Sequence, residues 1–330
     1  MKNPFFKNTG PYSLNFLLKN LNLKSSEFDD QVTDVKDLNS SQHKNITFFH
    51  SKKYADQAKT TKASYCITTE KLKSHLPKKC ISIISEKVLL DTAVITKIFY
   101  PDSVTDDFDN TVEDINTTNF KKNVKFGKNV LIGQNVKIGS NCLIGHNSII
   151  EKNVSIGDNC SIGSNVIIRN SLIKNNVHIL DGCVIGKKGF GFFPDKNSNF
   201  RYPQIGVVII NDNTEIGCGS TIDRGSLSNT IIGKNTYLDN QIHIAHNVKI
   251  GENCIIAGQV GFAGSSTLGN NVMIGGQAGV SGHLKIGNNV QIGGGSGVIK
   301  NIPDNCRVMG YPAQNIKNFL RENKWYTKPL

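Results

Sequence analysis

From Val124 onward the apolar positions of the chain advance in sixes. The first position of each hexad is Val124, Val130, Val136, Cys142, Ser148, Val154, Cys160, Val166 and Leu172. Two residues on stand Phe126, Ile132, Ile138, Ile144, Ile150, Ile156, Ile162 and Ile168, and one further on there is usually glycine. The frame slips after Leu172, resumes at Thr230 and runs through 13 hexads to Ile302. Alternation puts the first and third positions on one face and the second on the other. Glycine at the fourth supplies a permissive turn. Strand and turn at this period predict a parallel β-helix with three flat faces per coil of 18 residues, each coil stacked about 4.8 Å from the next. The period and the glycine density exclude helices here. Cys142 and Cys160, 18 apart, are expected to stack inside the column as small core residues.

Three segments depart from the period. Residues 1–115 read as a small α/β domain: SLNFLLKNLN (13–22) as a helix, and NITFF (45–49), SYCITT (64–69) and CISIIS (80–85) as strands. The β-helix domain is expected over 116–303, with an aromatic and basic excursion at 186–206 that leaves the coil. Residues 304–330 form a C-terminal extension in which AQNIKNFLRENKW reads as a basic helix. A β-helix has open ends that invite pairing, and the N-terminal domain and this helix are expected to cap them.

Composition narrows the classes. Thirty-eight Lys and Arg against 26 Asp and Glu give +12, a balance that favours acidic partners. No recognised nucleic-acid module accompanies that charge, so nucleic acid is not the expected partner. No run of about 18 apolar residues is present, and the N-terminus lacks an apolar signal core. The eight cysteines form no CxxC pair. A cytoplasmic protein with free thiols and at most peripheral membrane contact is the expectation.

The hexad also sorts the histidines. His146 and His246 fall at the fifth position, an outward corner; His178 and His243 fall on outer faces. Around His246 the turn glycine gives way to Asp239, Ala245, Ala257, Ala263 and Ser281 while the apolar positions persist. Departures from an otherwise consistent pattern are expected at functional sites. Gly264 is 18 residues after His246 and His283 is 37 after, so the three can line one strip about 10 Å long. Asp239, seven residues before His246, is either an orienting partner for the imidazole or a turn cap. Side-by-side association, as in a cyclic homotrimer, would supply the cleft that a flat-sided monomer lacks. GGGSG (293–297) has little side-chain volume and offers a strip for an apolar chain.

LDNQIHIAHNVKIG (238–251), AGSSTLG (263–269), GGQAGVSGHLKIG (275–287), STIDRG (220–225), GFGFFPD (189–195) and ITFFHSKKY (46–54) together resemble the UDP-3-O-(3-hydroxyacyl)glucosamine N-acyltransferases of lipid A biosynthesis. The resemblance covers most of the chain and implies a left-handed β-helix, a homotrimer and sites at subunit boundaries. It implies transfer of a 3-hydroxyacyl group from acyl carrier protein, where the acyl group is carried on phosphopantetheine, to the 2-amine of UDP-3-O-(3-hydroxyacyl)-glucosamine, with no bound cofactor and no metal. His246 of IAHN is then the general base. Gly264 offers an N–H to the thioester oxygen, and His283 assists substrate or donor binding. Phe48 and Tyr54 sandwich the uracil, with Ser51 where the family often has asparagine. Lys317, Arg321 and Lys324 are the candidates for meeting the acidic carrier protein. An imidazole, with an ordinary pKa near ~6.5, suits removal of an amine proton. The resemblance leaves Asp223 and Arg224 of STIDRG without a role. The competing readings are an O-acyltransferase on UDP-N-acetylglucosamine, a coenzyme A-dependent sugar N-acetyltransferase, a zinc hydratase holding metal through His243, His246 and His283, and a non-catalytic scaffold.

Overall fold

A computed structural model describes residues 3–27, 29–105, 107–115, 120, 122–194 and 199–323. The chain divides into two compact units, Met1–Asp106 with Gly191–Ile205, and Asp107–Phe190 with Gly206–Leu330.

The first unit is built on four parallel strands in the order Asp34–Val35, Asn45–Phe49, Tyr65–Thr68 and Ile81–Ile84. Helices α1 (Leu14–Asn20), α2 (Ala55–Thr60) and α3 (Val88–Phe99) accompany them. Helix α1 starts where Ser13 accepts from the Phe16 N–H, satisfying one of the open donors of its first turn. Helix α3 packs on the sheet and buries Val88, Ala93, Ile95 and Phe99. Its β-branched residues are poor helix formers, so burial of this face decides its conformation. The segment Gly191–Ile205 contributes an antiparallel hairpin, Phe192–Pro194 with Asn199–Arg201.

The second unit is a left-handed parallel β-helix. Among the described residues its three sheets hold 11, 10 and 8 strands. The first face begins Lys125–Phe126, Leu143–Ile144; the second Leu131–Ile132, Ile149–Ile150; the third Lys137–Ile138, Ser155–Ile156. The inward residues form a dry column in which Cys142 and Cys160 stack, the Cys160 N–H lying 3.4 Å from the Cys142 Sγ. All eight cysteines are free. The coil does not stop where the hexads slip: His178–Ile179, Val184–Lys188, Val208–Ile210, Glu215–Ile216 and Thr221–Arg224 continue all three faces. Residues 186–188 therefore belong to the second face rather than to the excursion.

Two corrections concern the turns and the ends. The turn glycines at the fourth position mostly do not supply positive φ; that falls on the sixth hexad position, where Asn123, Asn129 and Asn135 adopt φ of 57–64° and their asparagine successors 46–63°. These asparagines form ladders, Asn123 to Asn141 to Asn159 at 3.1 Å each. Glycine is needed at the fourth position because coils approach there: a Cβ on Gly127 would lie 2.6 Å from the His146 nitrogen. One sheet edge at each end is covered by an antiparallel strand, Glu113–Asp114 against Leu131–Ile132 at the start and Gln314–Asn315 against Val308–Met309 at the end. Helix α4 (Ile316–Glu322) follows and buries Phe319. It starts later than the sequence suggested, because Gln314–Asn315 pair as a strand, and residues 324–325 of that segment lie outside the described residues.

Candidate functional site

Three irregularities of the described β-helix fall at the corner between the second and third faces. One residue is missing at Arg169–Asn170, since Ile156 pairs with Ile173, 17 residues on. The segment 191–205 leaves from the same corner, and a four-residue insertion around 225–229 makes Val208 pair with Thr230, 22 residues on. His246 sits at this corner too, between His243–Ile244 and Lys249–Ile250. His146 sits at another, between the first and second faces, where its Nδ1 accepts the Lys128 N–H at 2.8 Å. The two histidines share a hexad position but not a corner: His146 ties neighbouring coils together, and His246 faces the irregular edge.

Backbone hydrogen bonds stack the strip in order. The Ser265 N–H donates to the His246 carbonyl and the His283 N–H to the Gly264 carbonyl, each at 3.0 Å. Gly264 lies beneath the imidazole of His246: a Cβ at 264 would come 2.7 Å from Cε1 and 2.8 Å from Nε2. His283 occupies a left-handed turn position with φ of 59°. The strip expected from the period is thus present.

The side-chain partner of His246 is not Asp239. Asp239 lies at the corner between the first and second faces, where its Oδ1 accepts the Asn240 N–H at 2.7 Å. Of the two readings of Asp239 this bond fits the turn cap; seven residues is one hexad plus one and carries the chain to a different corner from His246. The orienting residue is Asn247, whose Oδ1 lies 2.9 Å from His246 Nδ1. Asn247 is buried, and its amide cannot be reversed. Its Nδ2 donates to the Ser228 carbonyl at 3.0 Å and its Oδ1 accepts the Ser226 N–H at 3.2 Å. A carbonyl only accepts and an N–H only donates, so Oδ1 must face Nδ1. Nδ1 therefore carries the proton, and Nε2, over Gly264, presents its lone pair. Ser226 and Ser228 both belong to the inserted turn. No local sequence signal set Asn247 apart from the other left-handed asparagines.

Asp223 and Arg224 now have places. Gly189 is buried against the site, and a Cβ there would meet the His246 Cβ at 2.9 Å and the Asp223 Oδ2 at 3.1 Å. Asp223 thus flanks the histidine. Arg224 is 2% exposed and donates to the Gly186 carbonyl at 3.3 Å, holding the chain where it leaves the coil. Among the described residues no three His, Cys, Asp or Glu side chains form a group able to hold a metal ion.

In the first unit, Phe48, His50 and Tyr54 form an aromatic run. The His50 ring stacks on Phe48 at 5.8 Å and 16°, and lies 5.4 Å from Tyr54. Ser51 caps the short helix Lys52–Tyr54, its hydroxyl accepting the Lys53 N–H. Lys317 and Arg321 are exposed on α4, and Lys324 lies outside the described residues.

Fold and repeats define a hexapeptide-repeat protein: residues 118–152, 135–170 and 229–264 match the six-repeat bacterial transferase hexapeptide model. A solved UDP-N-acetylglucosamine acyltransferase from Campylobacter jejuni is similar in fold, with a TM-score of 0.51 at 23% identity over 60% of this chain and 77% of that one. Residues 29–98 match the family model of UDP-3-O-(3-hydroxymyristoyl) glucosamine N-acyltransferase, LpxD. A UDP-3-O-acylglucosamine N-acyltransferase of Caulobacter vibrioides is 48% identical over 147 residues, 44% of this chain and 43% of that protein. One from Dechloromonas aromatica is 53% identical over 68 residues, 21% of this chain and 20% of that protein. These matches span less than half the length of the curated relatives. Part of the N-terminal domain and part of the repeats are thus similar to those of UDP-3-O-acylglucosamine N-acyltransferases.

Proposed function

We propose that the protein transfers a 3-hydroxyacyl group from acyl carrier protein to the 2-amine of UDP-3-O-(3-hydroxyacyl)-glucosamine. The observation that carries this reading is the pairing of a tautomerically fixed base with a bare glycine. The amine nitrogen attacks the thioester carbon and its proton passes to Nε2 of His246. The oxygen takes up the negative charge beside the Gly264 N–H. Among the described residues that N–H makes no hydrogen bond, so it is open to an oxyanion. Collapse breaks the carbon–sulfur bond, and the imidazolium returns its proton to the leaving thiolate. No covalent enzyme intermediate is required. His283, at the end of the strip, is assigned to binding of substrate or donor. Asp239 is assigned to substrate binding, with its corner completed by a second protomer.

The same reading takes in the assembly and partners. Tyr237, Ile255 and Met273 stack on successive coils of the first face, each about half exposed, which supports a homotrimer. Phe48 and Tyr54 are the uracil platform, with Ser51 beside them. Lys317 and Arg321, with Lys324, meet the acidic carrier protein, and the phosphopantetheine arm delivers the acyl group with no bound cofactor. The setting is the cytoplasm; among the described residues no helix is long and apolar enough to cross a membrane.

The test is product formation by mass spectrometry, with UDP-3-O-(3-hydroxyacyl)-glucosamine and a panel of 3-hydroxyacyl carrier proteins. An amide product that falls by about 10²–10⁴-fold in His246→Ala is expected. No product with any chain length overturns the assignment. An ester on UDP-N-acetylglucosamine instead redirects it to the O-acyltransferase.

A further inference from the structure

The coils carry a recurrent cap. On several coils the N–H at the fifth hexad position is closed by the side chain one coil further along, whereas Gly258 and Gly276, at the corner between the first and second faces, are followed by Gly276 and Gly294, which offer none. Asp158 accepts from the Ser140 N–H at 2.6 Å, Ser164 from the His146 N–H at 3.2 Å, Asp181 from the Ser164 N–H at 2.6 Å and Asn270 from the Glu252 N–H at 2.8 Å. Asn288 does the same for Asn270 at 2.9 Å. Above Gly264 the corresponding residue is Gly282, which has no side chain to offer. A Cβ at 282 would stand 4.0 Å from the Gly264 nitrogen and 3.0 Å from its carbonyl oxygen. An Asp or Asn carbonyl group built there reaches the nitrogen at hydrogen-bond distance. The backbone at 282 is not left-handed, and a Cβ there would press on the Gly264 carbonyl oxygen at 3.0 Å, so a side chain enters only where the neighbouring coil gives by a few tenths of an ångström.

We propose that Gly282 is a positioning residue whose missing side chain keeps the Gly264 N–H uncapped and available to the developing oxyanion. This rests on the reaction assigned above, because an N–H already holding a carboxamide cannot strengthen its bond as charge builds on the substrate. Gly264 and Gly282 are thereby bare for different reasons. A Cβ on Gly264 would strike the base, whereas a side chain on Gly282 would occupy the donor.

The experiment compares Gly282→Asn with its apolar isostere Gly282→Leu and with Gly282→Ala, in the full-length protein. Steady-state kinetics and a crystal structure of the Asn variant are both read. Expected for Asn are a bond of about 3 Å from Oδ1 to the Gly264 nitrogen and a kcat lower by about 10²–10³-fold, with KM within about threefold of the parent. Leu and Ala should retain within about tenfold of the parent kcat. An Asn variant with parental kcat overturns the proposal. So does a Leu variant as impaired as Asn, since the loss is then bulk, or an Asn side chain that turns away from Gly264. Absence of activity in the parent protein would instead sink the assigned reaction, while the crystal structure still reads the cap.

Discussion

The imidazole of His246 rests on the bare Cα of Gly264, so close that a methyl group there would stand 2.7 Å from Cε1 and 2.8 Å from Nε2. The proposed base and the proposed donor are consecutive rungs of one ladder, and the stacking of the coils fixes their separation. Gly264→Ala therefore should displace the ring without straining the backbone, which is not left-handed at that residue. We expect kcat to fall by about 10²-fold or more, as for a misplaced catalytic group. The melting temperature should stay within about 4 °C of the parent. A fully active alanine variant would show that the ring does not work from this position.

Asn247 predicts a specific change in the pH profile. Its Oδ1 receives the His246 Nδ1 proton, and Ser226 and Ser228 prevent the amide from turning. Asn247→Asp places a carboxylate against that Nδ1–H and favours the imidazolium. The acid limb of kcat should move up by about one pH unit, with activity recovering on the alkaline side. An unmoved limb would break the link between Asn247 and the base.

The aromatic run in the N-terminal unit predicts a competition. His50 stacks on Phe48 and lies against Tyr54, so its ring already contacts both aromatics. On the proposed reading, uracil stacking on this pair competes with it. Stacking of this kind is worth about 0.5–1.5 kcal/mol. His50→Ala should lower the Kd for UDP by about 2–10-fold, whereas Phe48→Ala and Tyr54→Ala should raise it. Weaker UDP binding in His50→Ala, by calorimetry, would mean that the imidazole helps to hold the base.

Acid stability should depend on Asp109. This carboxylate is 5% exposed. Burial pushes its pKa up, but the Lys152 N–H at 2.6 Å, the Thr111 hydroxyl at 2.8 Å, the Thr111 N–H at 3.0 Å and the Lys152 charge outweigh it and hold the pKa below the usual value. A depressed folded-state pKa stabilises the fold above the unfolded pKa of about 3.9, and that contribution is lost as pH falls through the folded value. Asp109→Asn should lower the urea midpoint at pH 7 and flatten its decline below pH ~4. Parallel pH curves for the two proteins would remove Asp109 from the acid transition.

How far the sequence could be read follows from what each residue depends on. Val and Ile at alternate positions declared the coil because burial alone sets that pattern. The strip of His246, Gly264 and His283 was legible because stacking converts a spacing of 18 into contact. Asp239 stayed open between two readings because a spacing of seven does not by itself show that it lies at a different corner from His246. Asn247 was hidden among asparagines that serve only left-handed turns; what distinguishes it are Ser226 and Ser228, brought in by an insertion that slips the hexad frame. Helix α3 was missed because Val88, Thr92, Val94, Ile95, Thr96 and Ile98 favour strands locally, and only packing against the sheet makes them helical.

The outer side of the second face predicts an acyl-length limit. Successive coils there present Thr221, His243, Gly261, Gly279 and Gly297. A Cβ on Gly261 or Gly279 would meet nothing within 4 Å, so from His243 onward the face is bare. At Gly297 the ring of Tyr311 closes over it and would collide with any side chain. An acyl chain lying along this strip from the His246 corner runs about 4.8 Å per coil until it meets that ring. Tyr311 is 84% exposed and little else packs on it, so Tyr311→Ala should leave stability unchanged within about 0.5 kcal/mol. It should shift the preferred 3-hydroxyacyl carrier protein toward longer chains, through kcat/KM rather than through stability. Gly297→Leu should act in the opposite sense if its side chain displaces the ring into the strip. Chain-length preference unchanged in both variants would mean that the acyl group takes another path from the thioester.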